Sequence, residues 1–201
     1  DPEGVRDILE PSMLAIIQEV DGLSSLLSEF RTFSRMNEPA LSRTELRALV
    51  EETIALYRNS YPAVDFRLDS LGQGIYLKAD RRHLAQVLAN LVLNAVDAMD
   101  GAGIVEFGSD LVKKRDSRYC RLSIRDSGKG IPEHARSQVF TPYFTTKAGG
   151  TGLGLPIVER IVVDHGGAVW FDSAEGVGTT FFIDLPIDSA PAEGSKEGGE
   201  P

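Results

Sequence analysis

Three amide side chains, Gln86, Asn90 and Asn94, recur every four residues between Asp80 and Met99. On a helix that spacing puts all three on one face. Their neighbours Leu84, Val87, Leu88, Leu91, Val92, Ala95 and Val96 are apolar. A helix this apolar is buried, so its polar stripe needs partners. An amide oxygen can ligate a hard cation, and its NH₂ can donate to phosphate; solvent is the alternative partner. Asp126 follows a strand-like run and precedes Ser127-Gly128-Lys129-Gly130. Glycines there let backbone come close to a ligand. A carboxylate at the base of a cleft would accept a hydrogen bond from an exocyclic amine such as that of adenine, worth about 1.5–3 kcal/mol. By itself this Asp-x-Gly-x-Gly suits a plain turn equally well. A second cluster, Gly150-Thr151-Gly152-Leu153-Gly154-Leu155, leads into a helical pattern. Backbone N–H groups at a helix start bind phosphate. Thr151 can cap or donate, and Lys147 adds the compact positive charge a triphosphate wants. The set reads as a nucleotide pocket. It is not a P-loop, since no Gly-x-x-x-x-Gly-Lys-Ser/Thr occurs. Nor is it a dinucleotide fingerprint, since Glu106 stands where the series begun by Gly101 and Gly103 wants its third glycine.

The elements that must hold these groups follow from periodicity and caps. Asp80 caps a helix over 81–99 that Asp100-Gly101 ends. Ser42 and Glu45 form a capping box for a helix running to about Asn59. Val64–Leu68 and Ile75–Lys78 read as strands around a Gly72-Gln73-Gly74 turn, and Ile104–Phe107 and Tyr119–Ile124 as further strands. Residues 128–151 are glycine-rich and mostly aperiodic, as a lid or binding loop would be. A helix over Leu153–Asp164 and strands at Ala168–Phe171 and Thr179–Leu185 close the order. Hairpins mixed with helices predict an α+β sandwich, one sheet with helices on one face. Ahead of it, Leu9, Met13, Ile16, Val20, Leu23, Leu27 and Phe30 are spaced four and three apart. That heptad stripe predicts one long bundle helix over 7–36. Residues 188–201, rich in Ser, Ala, Pro, Glu and Gly, read as a disordered tail. The expected units are therefore 1–39, 40–187 and 188–201.

The net charge of −9 argues against broad nucleic-acid or anionic-membrane binding, which wants a basic surface. It leaves room for one anionic ligand held by local donors and a metal ion. No apolar run is long enough to span a bilayer, so this part of the chain is expected to make no direct membrane contact. The single Cys120 reads as a packed thiol in a reducing, cytoplasmic setting. No Cys/His cluster has metal-ligand spacing. A start at Asp1 rather than Met reads as an excised piece of a longer chain.

These motifs, in this order, resemble those of sensor histidine kinases. Gln86 to Met99 resembles the N box and Asp126 to Gly130 the G1 box. Phe140-Thr-Pro-Tyr-Phe-Thr-Thr-Lys147 resembles the F box and Gly150 to Leu155 the G2 box. Gly176-Val-Gly-Thr-Thr-Phe181 is similar to the closing glycine turn and strand. Phe-Thr-Thr-Lys and Asn-Ala-x-x-Ala-Met resemble the nitrogen-regulation (NtrB/NtrY) type most closely. The resemblance implies a Bergerat ATP-binding fold of the GHKL superfamily. It implies Mg²⁺ ligation by Asn94 with Asn90 beside it, and adenine recognition by Asp126 and Gly130 with Gly128 in the same turn. It gives phosphate and lid contacts to Lys147, Thr151, Gly152, Leu153 and Gly154, and puts Thr180 at the pocket floor. Residues 7–36 look like the second helix of the family's dimerisation hairpin. Partners then follow: ATP, a response-regulator receiver domain, and a second copy in a homodimer.

Family kinases phosphorylate a histidine followed by an acidic residue on the first hairpin helix. None of the three histidines here, His83, His134 and His165, stands in such a pair on a bundle helix. The expectation is a chain that binds Mg-ATP without phosphorylating itself, with no catalytic residue of its own to name. Related ATPases place a Glu general base one turn before the metal-ligating Asn. Asn90 holds that position and cannot take a proton, so steady hydrolysis is expected to be slow. Two other readings remain open on sequence: a non-catalytic dimerisation or docking module, and a GHKL-type ATPase.

Overall fold

Alternating side chains give the main sheet of this protein one face that is buried in the core. The computed structural model describes residues 37–114, 117–147 and 150–188, with seven isolated helical positions between 13 and 31. Two strands, β1 (Ser42–Glu45) and β3 (Tyr76–Ala79), form a small antiparallel pair. Five others, β2 (Val64–Ser70), β4 (Gly103–Lys114), β5 (Ser117–Asp126), β6 (Ala168–Ala174) and β7 (Gly178–Pro186), form a sheet in the order β2-β4-β5-β7-β6. Neighbours run antiparallel except β2 and β4, which are parallel. Val105, Phe107, Leu122, Ile124, Phe181, Ile183 and Leu185 are buried on one face. On that face lie α1 (Leu46–Arg58), α2 (Arg81–Ala98) and α4 (Gly154–Asp164), whose apolar residues join the same core. A one-turn α3 (Glu133–Arg136) lies between β5 and α4. The class is α+β, as the mix of hairpins and helices predicts.

Two expectations about the first third of the chain need correction. Ser42 and Glu45 do not form a capping box: Ser42–Glu45 is strand β1, and α1 begins without a side-chain cap. The Ser42 and Thr44 hydroxyls instead donate to the Ala79 carbonyl oxygen at 3.3 Å. Strand pairing has outcompeted local capping for the same hydroxyl. The Gly72-Gln73-Gly74 turn does not join a hairpin either, since β2 pairs with β4 and β3 with β1. β2 returns to β4 through α2, which lays that helix across the sheet. The proposed bundle helix over 7–36 lies outside the described residues apart from seven helical positions; Met13, Ile16, Ile17, Val20 and Leu27 among them are exposed. Of the expected tail, Asp188 is placed, its N–H donating to the Tyr76 carbonyl at 2.8 Å; 189–201 lie outside the described residues.

Asp80 caps α2 as expected, accepting from the Arg82 and His83 N–H groups. Its other oxygen accepts from Ala40 N at 3.1 Å, and its own N–H donates to His165 Nε2 at 3.0 Å. One residue thus ties the entering chain, the start of α2 and the end of α4. Cys120 is buried, and its thiol is pushed up to about 12, first by burial and then by Asp184 and Asp110.

On the sheet's other face, Asp184 is fully buried beneath its partners. Arg121 donates two bonds to it at 2.9 and 3.0 Å, and Lys114 lies 2.6 Å away. Trp170 stacks on Phe182 and lies under the Arg121 guanidinium. Burial pushes the Asp184 carboxyl up, but the Arg121 and Lys114 bonds outweigh it and hold it below the usual range. A carboxyl depressed in the folded chain stabilises it above the unfolded aspartate pKa and stops doing so as pH falls through the folded value. Unfolding midpoints in urea from pH 7 to pH 2 should therefore show an acid limb that Asp184→Asn flattens. An unchanged limb would remove Asp184 from the acid transition.

Candidate functional site

A cavity of about 570 Å³ opens between α2, the end of β5, the segment 129–147 and the start of α4. It exists because three backbone departures coincide there. β5 ends in Asp126 at its tip, and the chain turns at once, Gly128 packing against the Ala98 carbonyl. A Cβ on Gly128 would lie 2.7 Å from that oxygen. Gly130, at φ +71°, carries the chain past Ala174, where a side chain would overlap backbone. At the far end Gly152, at φ +68°, lets Tyr143 N donate to the Gly152 carbonyl at 3.0 Å. Tyr143 itself adopts φ +67°, a strained conformation for a bulky residue, and such strain collects at ligand sites.

The cavity gathers most of the predicted site residues. Asn90, Asn94, Asp126, Gly130, Lys147, Thr151, Gly152 and Gly154 line it. Asp126 is buried, and its Oδ1 accepts from Gly128 N at 2.8 Å and Thr179 N at 3.2 Å. Neither bond uses Oδ2. Burial raises its carboxyl above the usual range, and the two N–H bonds only partly offset this. Asn90 Nδ2 donates to the Gly154 carbonyl at 3.2 Å, which fixes its amide and ties α2 to the start of α4. Asn94 lies one turn further along, and its Oδ1 accepts from Lys147 Nζ at 2.7 Å. Thr151 Oγ1 accepts from Leu153 N at 3.3 Å, just ahead of α4, whose N-cap residue makes no side-chain cap bond.

Three predicted residues lie elsewhere. Leu153 is fully buried in the core, so only its backbone borders the loop. Gly128 supplies the turn that holds Asp126 rather than a cavity wall. Thr180 is not among the lining residues, whereas its neighbour Thr179 is. Side chains on β7 alternate, so Thr179, Phe181, Ile183 and Leu185 face the core and Thr180 faces away. That alternation was readable from the sequence and puts the floor one residue earlier. Gln86, on the polar stripe, also lies outside the lining. Asp97 does line the cavity, three residues after Asn94 and on the same helix face.

The chain is similar to known proteins. Residues 79–189 match the family described as histidine kinase-, DNA gyrase B-, and HSP90-like ATPase. The sensor histidine kinase ZraS of Escherichia coli (strain K12) is 35% identical over 176 residues, which cover 85% of this chain and 36% of ZraS. Among solved structures, the catalytic domain of histidine kinase ThkA is 33% identical with a TM-score of 0.65, over 73% of this chain and 95% of that one. ThkA in complex with response regulator protein TrrA is 28% identical with a TM-score of 0.70, over 87% and 50%. Full-length ShkA in complex with AMPPNP is 28% identical with a TM-score of 0.72, over 90% and 39%. The chain spans about a third of the length of the curated relatives it matches. The matched family over more than half the chain and a cavity that joins Asn90, Asn94 and Asp126 lead to one conclusion: this chain belongs to the histidine kinase-, DNA gyrase B- and HSP90-like ATPase family and is homologous to the ATP-binding catalytic domains of sensor histidine kinases.

Proposed function

We propose that residues 40–187 bind Mg-ATP and present its γ-phosphate to a histidine outside these 201 residues, which then passes the phosphoryl group to an aspartate of a response regulator. The observation that carries this is the polarity of one cavity: a buried carboxylate, Asp126, at one wall and Asn94 with Lys147 at another. Asp126 takes the adenine amine. Lys147 and the backbone around Thr151 and Gly152 take the phosphates.

The donor set fits Mg²⁺. Among the described residues no group of three or more His, Cys, Asp or Glu could hold a metal on its own. Asn94 Oδ1 and the Asp97 carboxylate are hard oxygens on the cavity wall. Mg²⁺ is ordinarily held by one or two protein oxygens plus phosphate and water, so this sparse set suits it. When bound, the ion supplies charge neutralisation on the phosphates. Asn90, an amide held on Gly154, is no general base, which favours transfer to a protein acceptor over hydrolysis.

We assign residues 1–39 to the second helix of a dimerising hairpin, which makes the parent a homodimer that docks a receiver domain. That ThkA has been solved with response regulator protein TrrA supports the docking part of this reading. Among the described residues no helix is long and apolar enough to cross a membrane, and we place this part of the parent in the cytoplasm.

Of the chain's histidines, His165 is the one whose surroundings speak directly against the acceptor role. His165 is buried with both ring nitrogens engaged, Nε2 by Asp80 N and Nδ1 by the Ile161 carbonyl. Incubation with γ-labelled ATP should leave the chain unlabelled, while a separately supplied histidine-bearing hairpin from a related kinase gains label. Acid-labile phosphate on His83, His134 or His165 would overturn this division of labour.

A further inference from the structure

Lys147 Nζ donates to two acceptors at once, Asn94 Oδ1 at 2.7 Å and Asp97 Oδ2 at 2.7 Å. Its backbone is anchored on both sides. Lys147 N donates to Thr145 Oγ1 at 3.1 Å, and its carbonyl accepts from Gly150 N at 3.2 Å. The ammonium can therefore leave its acceptors by side-chain rotation alone. Asn94 Oδ1 is also the oxygen that the proposed function gives to the divalent cation. An ammonium and a divalent cation on one amide oxygen repel each other at short range, so occupancy of Asn94 by one disfavours the other.

We propose that Asp97 is a positioning residue of the nucleotide site: it holds the Lys147 ammonium on Asn94, so that triphosphate binding must draw Lys147 away before Asn94 can serve the cation. This rests on the nucleotide reading above and adds a residue to it. Without Asp97 the ammonium keeps only a neutral amide acceptor, a weaker hold than a carboxylate. Asp97 and Lys147 are both part-exposed, at 52% and 35%, so the tie is of modest strength and reversible.

The test titrates the non-hydrolysable analogue AMPPNP into the 201-residue chain in EDTA, where no metal competes for Asn94. Four proteins form a double-mutant cycle: wild type, Asp97→Asn, Lys147→Gln and the double variant, with matched thermal midpoints. Asp97→Asn should raise affinity about 2- to 5-fold in the wild-type background, the upper part of the range of a part-exposed ion pair. In the Lys147→Gln background the same substitution should change affinity by less than about twofold. Equal gains in both backgrounds would mean a negative charge acting on the polyanion from a distance, and would overturn the proposal. So would no gain, or a loss, in the wild-type background. Asp126→Asn is the separate control. If wild type binds AMPPNP and Asp126→Asn abolishes that binding while the cycle shows no coupling, only this inference falls; if wild type itself binds no AMPPNP, the nucleotide reading falls with it.

Discussion

Replacing Asp126 by Asn should weaken adenine-nucleotide binding about 100-fold while leaving the chain folded. Asp126 Oδ1 is already committed to the N–H groups of Gly128 and Thr179. An asparagine must keep its carbonyl oxygen on those two donors, or leave them unsatisfied. Its NH₂ then replaces Oδ2 and meets the adenine amine donor to donor. The loss is a charge-assisted bond, about 1.5–3 kcal/mol, with an unpaired donor added. The fold should not suffer, because burial already disfavours the charged form and raises the carboxyl above the usual range. A neutral isostere relieves that cost, so the thermal midpoint should hold or rise. The pH dependence gives an independent readout. Because the folded carboxyl sits above the usual range, wild-type ADP affinity should fall on acidification starting above ordinary aspartate pH, and Asp126→Asn should lack that limb. Calorimetric titration of ADP and GDP across pH checks both points. An Asp126→Asn chain that binds ADP like wild type would remove Asp126 from base recognition.

The largest stability effect should come from Gly178→Ala. Gly178 opens β7 at φ +131°, where L residues are strained. An added Cβ there would overlap the Asp126 carbonyl oxygen and lie 3.1 Å from its carbon. Both atoms are backbone, so no rotamer change relieves the overlap, and β5 and β7 must part where Asp126 pairs with Thr179. The cost should be about 3 kcal/mol or more, combining an incompatible φ with overpacking. At about 2–4 °C per kcal/mol for a chain this size, the thermal midpoint drops by roughly 6–12 °C. The same shift moves Thr179 N off Asp126 Oδ1, so nucleotide affinity should fall too. Gly176→Ala is the matched control. Its φ is +77° but nothing lies within 4 Å of an added Cβ, so it should cost only about 1 kcal/mol. Equal costs for the two substitutions would show that backbone conformation, not the Asp126 contact, makes Gly178 sensitive.

Much of the site is legible in the sequence because its signals are local. Asp80 caps α2, and Asn90 and Asn94 share a face, through spacings of a few residues. Gly130 and Gly152 needed no partner to be read, because their positive φ values are a property of the backbone there. Where the structure departs from these local signals, contacts between distant elements decide. Ser42 and Glu45 matched a capping box, yet a strand from thirty-odd residues away took the hydroxyls. The resemblance points to Thr180 at the pocket floor, but the two-residue period of β7 turns Thr179 to the cavity and Thr180 away from it.

By itself, then, the sequence determined which polar side chains the pocket carries and which elements bear them, since caps, periods and glycine turns act within one element. Only the tertiary structure decided what meets across elements. It made β2 parallel to β4 with α2 as the crossover, so that α2 lies over the sheet. It brought Lys147 within 2.7 Å of both Asn94 and Asp97, some fifty residues away in sequence. The physical reason is that such meetings depend on strand register and on which face of a helix the core claims. Those are settled by the summed burial of the whole domain rather than by any local run of residues.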